Sequence, residues 1–166
     1  MPSRPRAALN PEDAAMTEGP RLLIVEARFY DDIADELVRG AVETLTRHGA
    51  GYKRIIVPGI LEIPAVIRFA VRSMEVRATD QRFAGYIALG CAIKGETDRY
   101  EHVCTQAMSG VQQLALQYSL AIGNGILTCP DAGLALARAR VSEGNHGGRA
   151  AEAALRMIAV KKELGL

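Results

Sequence analysis

Apolar and polar positions along the chain follow two alternating rhythms. From Arg21 the run RLLIVEA is apolar at strand length, whereas between Asp31 and Gly49 the apolar residues Ile33, Leu37, Ala41 and Leu45 recur at four-residue spacing. The first predicts a strand buried on both faces and the second an amphipathic helix. The same alternation continues downstream. YKRIIVP reads as a second strand, and Ile63, Val66, Ile67, Ala70, Val71 and Met74 as the buried stripe of a second helix. AGYIALGCAI reads as a third strand, followed by a helix marked by Val103, Ala107, Val111, Leu114 and Tyr118. AIGNGILTC is a fourth strand, Leu134, Ala137 and Arg138 lie on a short helix, and a last helix from about Gly148 to Leu164 buries Ala151, Ala154, Leu155 and Ile158.

Strands separated by helices of this length pair in parallel through right-handed crossovers, with helices on both faces. The expectation is a doubly wound, three-layer α/β sandwich spanning residues 21–166. The first 20 residues hold four of the seven prolines and no sustained period, so they are expected to form an arm outside the core. That arm either pairs with a neighbouring subunit or stays flexible.

Composition narrows the function classes. With 166 residues, 49% hydrophobic and 23% charged, the chain is expected to build one core without staples. Cys91, Cys104 and Cys129 are odd in number and lack paired spacing, which points to a reducing cytoplasm. A net charge of +1 with interleaved signs gives no footprint of a nucleic-acid binder. The apolar runs are short and the N-terminus lacks a hydrophobic leader, so neither a membrane span nor export is expected.

In open parallel sheets ligands bind beyond the carboxyl ends of the strands, where strand order reverses. The residues there are Arg28, Phe29 and Tyr30 after the first strand, Pro58, Gly59 and Glu62 in PGILEIP after the second, IKGETDR after the third, and Thr128 and Cys129 at the fourth. Gly95, Glu96 and Thr97 open a helix, offering free N–H groups and a positive helix end to an anion. An ordinary N-cap by Thr97 or Asp98, with Glu101 completing a box, is the competing reading. Glu62 suits N–H groups of a heterocycle while Ile60 or Leu61 meets its carbonyls; a plain strand-to-helix turn with Glu62 in its first helical turn competes. Phe29 either stacks on a flat ligand or packs in the core.

Taken together, RFYD, VPGILEIP, LGCAIKGETDRYEHV, GNGILT and LARARVSEGNHGGRAAEAAL resemble the lumazine synthase family, in order and over about residues 21 to 165. The resemblance implies a flavodoxin-like fold with a four-stranded parallel sheet, and a cofactor-free condensation. The family joins 5-amino-6-(D-ribitylamino)uracil to 3,4-dihydroxy-2-butanone 4-phosphate, giving 6,7-dimethyl-8-ribityllumazine in the penultimate step of riboflavin formation. It further implies that Phe29 stacks on the pyrimidine, that Ile60, Leu61 and Glu62 hydrogen-bond its ring and ribityl chain, and that Cys91, Ala92 and Ile93 line the pocket. Glu96 and Thr97 would bind phosphate, joined by Arg138 from a neighbouring chain, since a guanidinium pairs bidentately with phosphate. Members assemble as pentamers with shared active sites, and in some of them twelve pentamers close into an icosahedral shell.

The chain departs from the family pattern at informative places. Where the family usually carries a histidine as GxTxH, its presumed proton-transfer residue, this chain has Arg99, which donates hydrogen bonds but does not act as a base near neutral pH. His102 lies three residues along the same helix and is the candidate substitute. Asn145, His146 and Gly147 stand where Asn-Lys-Gly is common, exchanging a fixed charge for a titratable one. Asn124 stands where many members place an aromatic over the neighbour's uracil. Two readings stay open: a working synthase that relies on positioning, or a weakened homologue that binds lumazines or flavins as carrier or regulator. A generic nucleotide- or phosphoryl-binding module is disfavoured, because the chain has no G-x-G-x-x-G, no P-loop lysine motif and no acidic pair directly after the first strand. A Cys104–His102 thiol pair is disfavoured because residues two apart on a helix diverge.

Overall fold

The computed structural model describes residues 18–76 and 82–166. The first apolar run is strand β1 (Arg21–Ala27), followed by α1 (Asp31–Arg47), β2 (Gly51–Val57), a 3-10 turn (Ile60–Glu62) and α2 (Ile63–Glu75). Then come β3 (Gly85–Ile93), α3 (Arg99–Tyr118), β4 (Ile122–Cys129), α4 (Ala132–Ala139) and α5 (His146–Glu163). The four strands form one parallel sheet in the order β2-β1-β3-β4. This is the doubly wound α/β architecture that the alternation predicts.

Sheet pleating divides β1 between two cores. Leu22 and Ile24 pack with α1, α4 and α5, whereas Leu23, Val25 and Ala27 pack with α2 and α3. The chain steps from β1 outward to β2, then crosses back past β1 to β3. Right-handed crossovers therefore put α1 on one face and α2 and α3 on the other. The strand order reverses between β1 and β3, and their carboxyl ends open a crevice there.

Two details set how tightly the layers close. A Cβ on Gly147 would sit 1.9 Å from the Leu37 carbonyl oxygen, so α5 rests directly on the α1 backbone. Helix α5 begins at His146, two residues before the periodicity suggests. Asn145 adopts the left-handed conformation (φ 46) and its side chain accepts from the Gly148 N–H at 3.3 Å, starting the helix early. On α3 only Ala107 and Val111 are fully buried, while Val103, Leu114 and Tyr118 pack at the core margin.

Of the predicted arm, residues 1–17 lie outside the described residues; Pro20 accepts a hydrogen bond from the Gly51 N–H at 2.9 Å at the start of β2. Among the described residues no helix is long and apolar enough to cross a membrane.

Candidate active site

A cavity of about 390 Å³ opens at the β1/β3 switch point and gathers three of the four strand tips. The β1 tip contributes Phe29 and Tyr30. Phe29 is 74% exposed and meets Tyr30 edge-to-face at 5.0 Å, so the core-packing reading of this residue is excluded. The β2 tip contributes Pro58 to Glu62. Gly59 is extended, and the Glu62 N–H donates to the Gly59 carbonyl at 3.2 Å, closing the 3-10 turn. Ile60 is buried and anchors that turn, leaving Leu61 and Glu62 on the rim.

Gly90 makes the anchoring possible. A Cβ there would lie 2.7 Å from Ile60 Cγ2 and 3.1 Å from Ala27 Cβ, so only glycine in β3 lets the 3-10 turn settle onto the sheet. Pro64, in the first turn of α2, fixes the exit from the turn.

The β3 tip contributes Cys91, Ala92 and Ile93, and the segment beyond it Gly95, Thr97, Arg99, Tyr100 and Val103. The Lys94 N–H still donates to the Cys129 carbonyl at 3.0 Å, after which the loop Gly95–Asp98 is exposed. The capping box of the competing reading does not form. Asp98 occupies the N-cap position of α3 without a side-chain cap bond, and Thr97 Oγ1 accepts only from the Arg99 N–H at 3.4 Å. Asp98 has helical dihedrals, and an N-cap side chain reaches the first-turn N–H groups from an extended backbone instead. The helix start is thus left without the box that would compete with an anion.

Burial pushes the Cys91 thiol up to about 12, so Cys91 forms cavity wall in its neutral form. Tyr100 was not singled out by sequence reasoning. It lines the cavity from the first turn of α3, and desolvation raises its pKa, with the neighbouring Cys104 adding to the shift. The legible signal was an aromatic residue in the first turn of a helix that follows a strand tip. Among the described residues no group of three or more histidine, cysteine or acidic side chains is arranged to hold a metal ion.

Of the sequence-predicted site residues, the cavity brings together Phe29, Ile60, Leu61, Glu62, Cys91, Ala92, Ile93, Thr97 and Arg99. His102 is outside it, lining an adjoining depression of about 470 Å³ that shares Leu61, Thr97, Arg99 and Val103 with the cavity. Glu96 is exposed on the adjoining loop. Asn124 lies on the edge strand β4, where its amide donates to Met108 Sδ at 3.4 Å and accepts from the Ile126 N–H at 3.0 Å. Arg138, near the end of α4, donates to Cys129 Sγ at 3.9 Å. Neither Asn124 nor Arg138 lines the cavity of its own chain. Beside Arg138, the half-buried His146 has its pKa lowered by burial and by the charges of Arg149 and Arg138.

A family model described as 6,7-dimethyl-8-ribityllumazine synthase matches residues 19–162. The chain belongs to this family. It is 47% identical over 146 residues to the 6,7-dimethyl-8-ribityllumazine synthase of Paramagnetospirillum magneticum, covering 88% of this chain and 97% of that protein. It is 51% identical to the corresponding synthase of Bartonella bacilliformis (88% and 93% covered) and 49% identical to that of Agrobacterium fabrum (88% and 97%). Lumazine synthase membership therefore spans the whole sheet and every helix of the fold, α5 ending one residue beyond the match.

Proposed function

We propose that this chain condenses 5-amino-6-(D-ribitylamino)uracil with 3,4-dihydroxy-2-butanone 4-phosphate to 6,7-dimethyl-8-ribityllumazine. The observation that carries the reading is the match to the lumazine synthase family over residues 19–162, with the three strand tips gathered in one cavity. The uracil's 5-amino group attacks the butanone carbonyl and water leaves to give an imine. Inorganic phosphate is eliminated, and the ribitylamino nitrogen closes the ring with loss of a second water. No redox partner enters this balance.

Each strand tip has a part in that sequence. Phe29 stacks on the pyrimidine, Glu62 accepts from its N–H groups, and the Ile60–Leu61 turn and the Cys91–Ile93 strand end shape the slot. Glu96, Thr97 and the open start of α3 hold the phosphate, with Arg99 at its side. Arg138 and Asn124 reach the site from a neighbouring chain, which makes a pentamer the smallest complete enzyme and is consistent with their position outside their own cavity. Alignment of two reactants supplies up to about 7–11 kcal/mol of barrier reduction, whereas one acid–base group gives about 10²–10⁴-fold in rate. Replacing the family's histidine by Arg99 accordingly slows the enzyme without silencing it. His102, beside Arg99 at the helix start, is the candidate for part of the proton transfer.

The test is steady-state lumazine formation by the purified protein beside Arg99→His and His102→Ala. Wild-type turnover, raised about tenfold or less by the histidine, supports a synthase run by positioning; each tenfold is about 1.4 kcal/mol of barrier. Unchanged turnover in His102→Ala removes that residue from the mechanism. A wild-type protein that binds the lumazine tightly but forms none sinks the synthase reading in favour of a carrier.

A further inference from the structure

Strand β1 ends at Ala27 and α1 starts at Asp31, so Arg28, Phe29 and Tyr30 alone make the connection. Phe29 is 74% exposed. No core holds its ring, and the direction in which it points is set by the backbone of this short turn and by Tyr30. What fixes that backbone is an ion network unusual in the interior of a sheet.

Glu26 is fully buried in β1. Its carboxylate accepts from Arg54 of β2 twice, Nε to Oε2 at 2.7 Å and Nη2 to Oε1 at 2.8 Å, a bidentate pair across neighbouring strands. The same Oε1 accepts from Arg28 Nη1 at 3.1 Å. The rest of the Arg28 guanidinium runs forward. Nη2 donates to the Asp31 carbonyl at 3.4 Å and to the Asp35 carboxylate, and Nε lies 3.4 Å from the Asp31 carboxylate. The Arg28 N–H also donates to the Val57 carbonyl at 3.4 Å, tying the turn to the end of β2. Burial opposes the Arg28 charge, but its bonds to Asp35 and Glu26 hold its pKa above the ordinary arginine value.

The distribution of these bonds matters. Arg54 alone gives Glu26 two charge-assisted bonds, so the buried carboxylate has a partner without Arg28. Asp31 and Asp35 are largely exposed, and exposed ion pairs add little net stability. Arg28 thus adds little to holding the fold together, yet one guanidinium spans the turn from the last residues of β1 to the first two turns of α1, with Phe29 between its two anchorages. We propose that Arg28, anchored on Glu26, is a positioning residue that fixes the angle at which Phe29 presents its ring to the cavity, and so sets affinity for the flat heterocycle. This rests on Phe29 being the stacking residue. Arg28 itself does not line the cavity.

The experiment is a double-mutant cycle on the full-length assembled protein. Equilibrium binding of 6,7-dimethyl-8-ribityllumazine is read from the ligand's fluorescence, and binding of inorganic phosphate and the melting temperature are recorded for every variant. Arg28→Met weakens lumazine binding about tenfold, Phe29→Ala by a similar factor, and the double variant by no more than about twofold beyond Phe29→Ala alone. Arg28→Lys falls between wild type and Arg28→Met because an ammonium grips one carboxylate but does not bridge two as a planar fork does. Phosphate binding and melting temperature stay near wild type. If Arg28→Met fails to assemble, Asp31→Asn with Asp35→Asn trims only the forward anchorage and leaves Glu26 paired; the same non-additivity with Phe29→Ala is expected at about threefold loss. Full additivity in either cycle, or an equal loss of phosphate binding, overturns the positioning role alone. A wild-type protein that does not bind the lumazine overturns the stacking reading and the positioning role together.

Discussion

The two halves of the candidate site are built in opposite ways. The half assigned to the heterocycle has packed walls within one chain: Ile60 is 4% exposed and seated over Gly90, Cys91 is 8% exposed, and Phe29 stands on a turn braced by a buried carboxylate. The half assigned to phosphate is a run of exposed residues from Lys94 to Arg99, with no side-chain cap on α3 and with Arg138 held on a different wall of the molecule. The contrast follows from what each ligand demands. A flat ring is recognised by shape, which requires packed, low-entropy walls. A phosphate is recognised by charge and N–H donors, which an exposed helix start and a second chain can supply on assembly.

The largest test of that contrast removes Arg138, the part assigned to a neighbouring chain. Loss of bidentate, charge-assisted bonds worth about 1.5–3 kcal/mol predicts that Arg138→Met lowers kcat/KM about ten- to a hundredfold, with the loss concentrated in the KM for the butanone phosphate. Phe29→Ala should instead raise the KM for the uracil. When the two weakened variants are co-assembled at equal amounts, random mixing gives roughly a quarter of sites an intact Phe29 facing an intact Arg138, and activity at low substrate recovers to about that extent. No recovery on mixing would mean that each chain completes its own site, and the contrast between the halves would fail.

The same division explains what was legible in the sequence. The sheet and its strand tips could be read because they are local: continuous apolar runs give buried strands, and PGILEIP places a glycine and two prolines where a turn needs them. The start of α5 was misplaced because the left-handed cap at Asn145 interrupts no apolar period and so leaves no trace in the spacing. The box at Thr97–Glu101 was written in residue types but is absent, since capping depends on the backbone dihedrals of Asp98 and not on its identity. Tyr100 was missed because it reaches the cavity through the way α3 packs beside the β3 tip, which spacing along the chain does not encode. The network of Glu26, Arg28 and Arg54 joins residues up to 28 apart across two strands, a distance over which one sequence carries no pairing signal.

A second variant sharpens the rigid side of the comparison. Gly90→Ala places a methyl 2.7 Å from Ile60 Cγ2, and overpacking of this kind costs about 1–3 kcal/mol. The expected readout is a melting temperature lower by several degrees, about 2–4 °C per kcal/mol for a domain of this size. Because the displaced atom belongs to the 3-10 turn, the KM for the uracil rises while phosphate binding is unchanged. Equal damage to both ligands would show that the two halves are mechanically coupled.

The smallest expected effect concerns the open side, through His146. Burial and the charges of Arg149 and Arg138 keep its folded pKa below the ordinary value of 6.5. Between those two values the unfolded chain binds more protons than the folded one, so stability rises with pH there. The contribution is complete above pH 6.5 and is lost as the pH falls through the lower, folded pKa. A melting-temperature series from pH 7.5 to 5 should therefore decline in wild type and decline less in His146→Gln. Phosphate adds the discriminating arm. An anion bound at Arg138 offsets part of the positive field on His146, so saturating phosphate should flatten the wild-type decline and leave the His146→Gln series unmoved. A slope indifferent to phosphate would place the anion away from Arg138, and the exposed start of α3 would then have to hold it without help from α4.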